Sequence, residues 1–278
     1  KLYMNASSVL TGIVDGTVHC FPEIYINEAV VTDVTVVSDN DNCSTWEIAQ
    51  STISNSTIYT RYGKYTANQI TNSTIISLSI NSHYFSKNTL ADVTLGGEYI
   101  YVKAGNILTG SLTLQAKTVV WNSSVDANGN YIICDLGNKT ETSAAMIDMN
   151  YITGAAGYVI SVSANQVPGK YAVAKGVNTL NADFTVKAGG NTVGILNKDN
   201  LSVTAGNWVY SLVHDDLLKT LNLQVSLSAD ADKSVRTWKH NADGSIQTAE
   251  KFSGLTLNSG GVTVLSGGAL EDSTVNEG

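Results

Sequence analysis

Apolar residues in this chain recur in pairs five positions apart, and the pairs recur about every 20 residues. The unit is a six-residue phrase: apolar, any, Asp/Asn/Gly/Ser, any, Thr/Ser, apolar. It occupies residues 13–18, 31–36, 53–58, 70–75, 90–95 and, in degenerate form, 109–114, with starts spaced 18, 22, 17, 20 and 19. Two more copies, 252–257 and 270–275, are spaced 18. A match at 120–125 breaks the rhythm and reads as chance. A period of this length is one coil of a β-solenoid. The leucine-rich-repeat frame of similar length is absent.

Parity gives the phrase its physical meaning. In an unbroken strand, two residues five apart point to opposite faces. Both ends of the phrase are apolar, so the chain must turn between them. The third position is where Asp, Asn and Gly, which tolerate left-handed backbone angles, gather. Asp15, Asp33, Asn55, Asn72, Asp92, Gly254 and Asp272 are therefore the expected corner residues. Beyond each corner the fourth and sixth residues face inward and the fifth faces outward. With coils about 4.8 Å apart, Thr17, Thr35, Thr57, Thr74, Thr94, Thr256 and Thr274 are expected to form an outward ladder. Asn55 over Asn72 is expected to stack amides at the corner.

From about Tyr158 the pattern changes to period 2, in 171–174, 184–187, 201–204, 210–212 and 221–227. Gly189-Gly190-Asn191 and Ala205-Gly206-Asn207 read as hairpin turns. Residues 214–219 read as a loop, with one helical turn as the alternative. The expected organisation is all-β. It has solenoid coils over 1–157, an inserted antiparallel β-sandwich-like module over 158–228, a connector over 229–251 and resumed solenoid repeats over 252–278.

The resumed segment runs Leu257-Asn258-Ser259-Gly260-Gly261-Val262-Thr263-Val264, then Leu265-Ser266-Gly267-Gly268-Ala269, and the phrase restarts at Val275. This resembles the AIDA-type repeat of bacterial autotransporter adhesins, closely over about 27 residues and in period and style over 13–125. The resemblance implies a right-handed parallel β-helix at a bacterial surface or outside the cell, acting in adhesion or biofilm formation. The repeat breaks off at Gly278, and position 1 is Lys rather than Met. Both features suggest a mature product or part of a longer protein.

Composition narrows the picture. Asn, Ser and Thr make up 83 of the 278 residues, while charged residues are only 14%. With 43% hydrophobic residues the chain is too apolar for disorder. A net charge of -8 argues against nucleic-acid partners, which require a basic face. No apolar run reaches the length of a membrane span.

Candidate chemistry is sparse. The corner aspartates allow a carbohydrate-active β-helix, a lyase or glycosidase, because such enzymes gather carboxylates on one face. Backbone demand at the corners explains the same residues. Asp39 and Asp41, and Asp230, Asp232 and Asp243, sit in loop-like sequence that suits either Ca²⁺ or a solvated turn. His19, His83, His214 and His240 lack metal-ligand spacing. Cys20 and Cys43 fall at nearly one phase of successive coils, which fits a disulfide or two buried thiols. Trp46, Tyr59, Tyr62, Tyr65, Tyr84 and Phe85 form an aromatic stretch suited to stacking on sugars or to packing. The expectation is a non-catalytic surface adhesin or matrix protein, contacting host or neighbouring-cell surfaces, glycans or other copies of itself, with the carbohydrate-active β-helix and a filament-forming structural subunit as alternatives.

Overall fold

The computed structural model describes residues 2–5, 8–15, 23–38, 45–78, 83–127, 129–137, 139, 144–164, 166–228 and the short strands 238–240, 246–249, 251–253, 256–257, 269–271 and 274–275. Strands dominate, and no α-helix occurs among the described residues. One 3-10 turn, Met149–Tyr151, is capped by the Asp148 carboxylate. The fold is a β-solenoid of parallel stacked coils.

Each regular coil carries three short strands. The first face stacks Leu2–Met4, Glu23–Asn27, Thr45–Ala49, Tyr62–Thr66, His83–Ser86, Tyr99–Val102 and Thr118–Trp121. The second stacks Thr52–Ser54, Gln69–Thr71, Thr89–Ala91, Asn106–Leu108, Val125–Asp126 and Ile152–Thr153. The third stacks Thr57–Thr60, Thr74–Ser77, Val93–Gly97, Leu112–Leu114, Tyr131–Asp135, Gly157–Val162 and Phe184–Ala188. The long strand Val30–Ser38 pairs with both the second and third faces.

Inside, apolar columns run along the stack. One is Val31–Ile53–Ile70–Leu90–Leu108, and another is Val36–Ile58–Ile75–Leu95–Leu114–Cys134–Ile160–Val186. All are essentially sealed from solvent, so each stacking step removes apolar surface from water at the same place.

The corner between second and third faces falls at Asp33, Asn55, Asn72 and Asp92, whose φ angles are 52, 50, 45 and 55°. A right-handed L-residue backbone pays about 1–2 kcal/mol for such a conformation, and Asn and Asp pay least. After each corner comes a buried residue (Val34, Ser56, Ser73, Val93), then Thr35, Thr57, Thr74 or Thr94 outside, then a buried Val, Ile or Leu. The threonines are register partners, and Thr113 extends the row. At the far end of the chain Thr256 pairs with Thr274 in a parallel two-stranded sheet, as Phe252 does with Leu270. Gly254, Asp272, Thr17, Cys20, Cys43, Asp39, Asp41, Asp230, Asp232 and Asp243 lie outside the described residues.

Three expectations are corrected. Asp15 does not stand in the corner column: it pairs with Val37 inside a strand. The register of Val9–Asp15 against Val30–Ser38 slips between Leu10 and Gly12, so Leu10, not Ile13, matches Val31. Residues 120–125 stand out of phase with the other copies, as their broken spacing indicated, since Val120 pairs with Tyr101 on the first face. Parallel stacking does not stop at residue 157, because Gly157–Val162 pairs in parallel with Tyr131–Asp135 and with Phe184–Ala188. Nor do the corner amides stack: Asn55 donates to the Asp33 carboxylate at 3.3 Å, and the continuous amide ladder is elsewhere.

That ladder follows a second left-handed corner, between first and second faces, at Glu28, Gln50, Ala67, Lys87 and Gly105. The next residues are Ala29, Ser51, Asn68, Asn88 and Asn106, all buried. At Gln50, Ala67 and Lys87 the N–H that follows the left-handed residue meets a side-chain oxygen of the neighbouring coil, whereas after Asp92 the Val93 N–H still reaches the Ser111 carbonyl at 3.0 Å. Ser51 N–H donates to Asn68 Oδ1 at 2.9 Å, Asn68 N–H to Asn88 Oδ1 at 2.9 Å, and Asn88 N–H to Asn106 Oδ1 at 3.0 Å. The Nδ2 groups donate to the carbonyls of Ile48, Tyr65 and Phe85 in the preceding coil. A shorter serine series repeats the device at the other corner: Val34 N–H donates to Ser56 Oγ, and Ser56 N–H to Ser73 Oγ.

The parallel stack ends under antiparallel strands. Phe184–Ala188 turns at Gly189-Gly190 into Asn191–Leu196. A five-stranded sheet follows, in the order Ile147–Asp148, Gly169–Lys175, Thr220–Leu227, Trp208–Asp215 and Ser202–Ala205. The turn between Ala205 and Trp208 is the second expected hairpin.

Asn88→Ala should destabilise the chain by about 2–4 kcal/mol, because the Asn68 N–H and the Tyr65 carbonyl lose buried partners together. Thr74→Ala, outside the same stack, should cost under about 1 kcal/mol. Urea unfolding of the two variants checks the difference.

Candidate functional site

The aromatic stretch divides between interior and surface. Trp46, Tyr65 and Phe85 are buried. Tyr65 and Phe85 are register partners whose rings stack at 4.8 Å, 5° from parallel. Tyr62 and Tyr84 are half-buried on the outer side of the first face, and Tyr59 on that of the third. Strand alternation decides the sorting: Tyr84 and Phe85 are neighbours, so one faces out and the other in.

The outer tyrosines continue to Tyr101, the register partner of Tyr84, and to Tyr99. Tyr84 and Tyr101 stack at 4.9 Å with 25° between planes, Tyr62 tilts against Tyr84 at 5.7 Å, and Lys103 Nζ stands 4.4 Å over the Tyr84 ring. Register pairing thus gives Tyr84 neighbours among its own kind, and the strip stays half-exposed on the outer side of the face. Glu47 with Lys64 at 3.6 Å and Glu98 with Lys117 at 2.6 Å add ion pairs to the same face. Tyr99, Tyr101 and Lys103 were missed in the sequence because they fall outside the six-residue phrase. Their signal was the first-face spacing from Tyr84 to Tyr101.

The corner carboxylates are not brought together. Asp33 and Asp92 are separated by Asn55 and Asn72, three coil steps, or about 14 Å at the usual strand spacing. Paired glycosidase carboxylates stand about 5–9.5 Å apart. Asp92 accepts from the backbone N–H of Ser111 at 3.1 Å and its hydroxyl at 2.8 Å, which holds its carboxyl below the usual range. Among the described residues no cluster of His, Cys, Asp or Glu could hold a metal ion. The described residues likewise contain no helix long and apolar enough to cross a membrane.

Two further titratable groups sit inside the stack. Cys134 is a buried thiol in an apolar column, and burial pushes it up to about 12. The Lys139 ammonium donates to the carbonyls of Ala116 and Lys117, and burial lowers it to about 8. His214 is half-buried, 2.8 Å from the Val177 carbonyl.

His83 is fully buried. It shares a column with Trp46 and Gly63, where a Cβ on Gly63 would lie 2.5 Å from the Tyr65 ring. The missing side chain makes room for Tyr65, and Tyr65 and His83 together fill the interior. His83 Nε2 stands 3.0 Å from both Thr60 oxygens and donates to the carbonyl, while Nδ1 has no partner among the described residues. Desolvation lowers its pKa to about 4.

Comparison with protein-family models, with curated proteins and with solved structures finds no match to this chain.

The buried histidine sets a pH dependence. Between about pH 6.5 and 4 the unfolded chain takes up a proton that the folded chain refuses. His83 therefore removes about 3 kcal/mol of stability as pH falls through that window and nothing above it. Unfolding free energies at pH 7 and pH 4 should differ less in His83→Gln than in the wild type.

Proposed function

We propose that this chain is a non-catalytic adhesin or matrix protein of the bacterial surface or extracellular space, a stiff β-solenoid that presents uncharged ladders to a partner surface. The observation that carries the reading is the row Thr35–Thr57–Thr74–Thr94–Thr113. It repeats one hydroxyl and one methyl at every coil on the outside of a parallel sheet. A periodic, uncharged face of hydroxyls and methyls suits many shallow contacts with glycans, cell surfaces or other copies of the chain. Multivalent contact of that kind builds avidity from weak single sites.

Two further features support it. The resemblance of 252–278 to AIDA-type repeats implies a surface setting. The ladder corners use Asp and Asn as backbone residues, and their carboxylates stand too far apart for paired acid–base work. In this reading the polar composition serves stacking and presentation, and the inward columns resist unfolding and proteolysis.

Immobilised chain should retain cells or glycan-coated beads. The double variant Thr57→Lys with Thr94→Lys places charges two coils apart and should reduce retention at least about tenfold, with each lysine costing about 1 kcal/mol or less of stability. Release of new reducing or unsaturated ends from a polysaccharide panel would replace this reading with the carbohydrate-active one. Retention unaffected by the two lysines would also defeat it.

A further inference from the structure

The last coils are longer than the rest. Ile132, Tyr158 and Phe184 are register partners in one inward column, and each step between them spans 26 residues, against 20 from Leu112 to Ile132. The extra residues accompany the loss of a face. Ile152–Thr153 is the last strand of the second face. In the next coil the chain leaves the strand Gly169–Lys175 of the five-stranded sheet at Gly176, φ 70°, and runs through 177–183 without a strand before re-entering the third face at Phe184. Loops enlarged in adjacent repeats gather on one side of a solenoid, where binding sites are common.

The missing strand leaves a cavity of about 510 Å³. Its walls include Met149 from the 3-10 turn, Tyr158 from the inward column, and Thr179, Asn181 and Asp183 from the loop. Tyr158 is 7% exposed, and its ring stacks on Phe184 at 5.1 Å. That hydroxyl has no hydrogen-bond partner among the described residues. Burial pushes it up to about 12, so it is a neutral donor near pH 7.

The rest of the polar lining is half-used. Asp183 Oδ1 accepts from Asn197 Nδ2 at 2.8 Å, and Oδ2 has no partner among the described residues. Asn181 Nδ2 donates to Thr179 Oγ1 at 2.8 Å, which leaves the Asn181 carbonyl and the Thr179 hydroxyl proton available. No lysine or arginine lines the cavity, and the chain carries -8 overall. An anionic ligand would be repelled. Donors and acceptors share the lining with Met149 and two alanines, and the volume lies in the range of small-molecule sites.

We propose that this cavity binds one or two rings of a neutral sugar, with Asp183 Oδ2 and the Asn181 carbonyl accepting from its hydroxyls and the Tyr158 hydroxyl donating to it. Each sugar hydroxyl both donates and accepts, which is what such a mixed lining satisfies. The site does not depend on the threonine ladder, and its occupancy is measurable in solution.

The full chain is titrated with lactose, maltose, cellobiose, mannobiose and diacetylchitobiose, followed by saturation-transfer NMR and calorimetry, with butylamine as a cationic probe. At least one disaccharide should bind saturably. Tyr158→Phe and Asp183→Asn should each weaken it about fivefold or more, the loss of one hydrogen bond of about 1 kcal/mol. Their melting temperatures should stay near wild type, and Tyr84→Ser should bind as wild type. Absence of saturable binding across the panel, binding indifferent to both cavity variants, or binding of butylamine alone would overturn the site. Loss of cell retention with the titration intact would count against the adhesin reading and leave this one standing.

Discussion

The fold depends on how a stacked coil can turn left-handed corners without stranding backbone N–H groups in its interior. An unpaired buried N–H costs about 1–3 kcal/mol. A stack that lost one at each corner of each coil would give up much of what burial of its apolar columns supplies. Asn68, Asn88 and Asn106 answer the problem at one corner and Ser56 and Ser73 at the other. Each side-chain oxygen sits one coil along and receives the N–H that follows the corner. The amide nitrogens then reach carbonyls of the preceding coil, so an asparagine here joins successive coils. Serine at position 51 takes the role where the ladder begins, donating to Asn68 and accepting from Ala29.

Once the corners are solved inside, the outer surface is free to be uncharged. Residues in register are neighbours at strand spacing, and like charges directly opposite would repel. Threonine stacks on threonine and tyrosine on tyrosine without that cost, while the few ions on the first face pair across coils, Glu47 with Lys64 and Glu98 with Lys117. The low charge and the abundance of Asn, Ser and Thr thus follow from stacking. The far end of the stack meets the opposite constraint. A parallel edge left open would template further pairing, and the hairpin Phe184–Leu196 with the five-stranded sheet occupies it. Replacing one face with a loop at that point also opens the cavity around Tyr158.

Period, corner and outward row were legible in the sequence because they share one phrase with a parity argument behind it: the left-handed backbone of Asp33, Asn55, Asn72 and Asp92 follows from two inward apolar residues five apart. The Asn68–Asn88–Asn106 ladder was equally regular, two residues before Ile70, Leu90 and Leu108. It escaped notice because a polar residue at a fixed phase reads as surface until its burial is known. Asp15 misled because Ile13–Val18 matches the phrase by letter while the strand register slips near Leu10. The end of the solenoid misled for another reason. Alternation in 158–188 looks the same for a parallel strand with one solvated face as for an antiparallel hairpin, and only pairing distinguishes them. The outer tyrosines were half legible, since Tyr62 and Tyr84 could be named but not told from Tyr65 and Phe85 without the strand phase. The cavity was not legible, because it is made by a strand that is missing.

The central claim is that buried side-chain oxygens hold the corner amides. Residue-resolved hydrogen exchange under native conditions tests it at the backbone N–H groups of Ser51, Asn68 and Asn88. Their protection should equal that of ladder amides such as Gln69 and Thr89, whose N–H groups donate to backbone carbonyls in the same coils. Exchange at the rate of frayed or solvated amides, with Gln69 and Thr89 still protected, would contradict it.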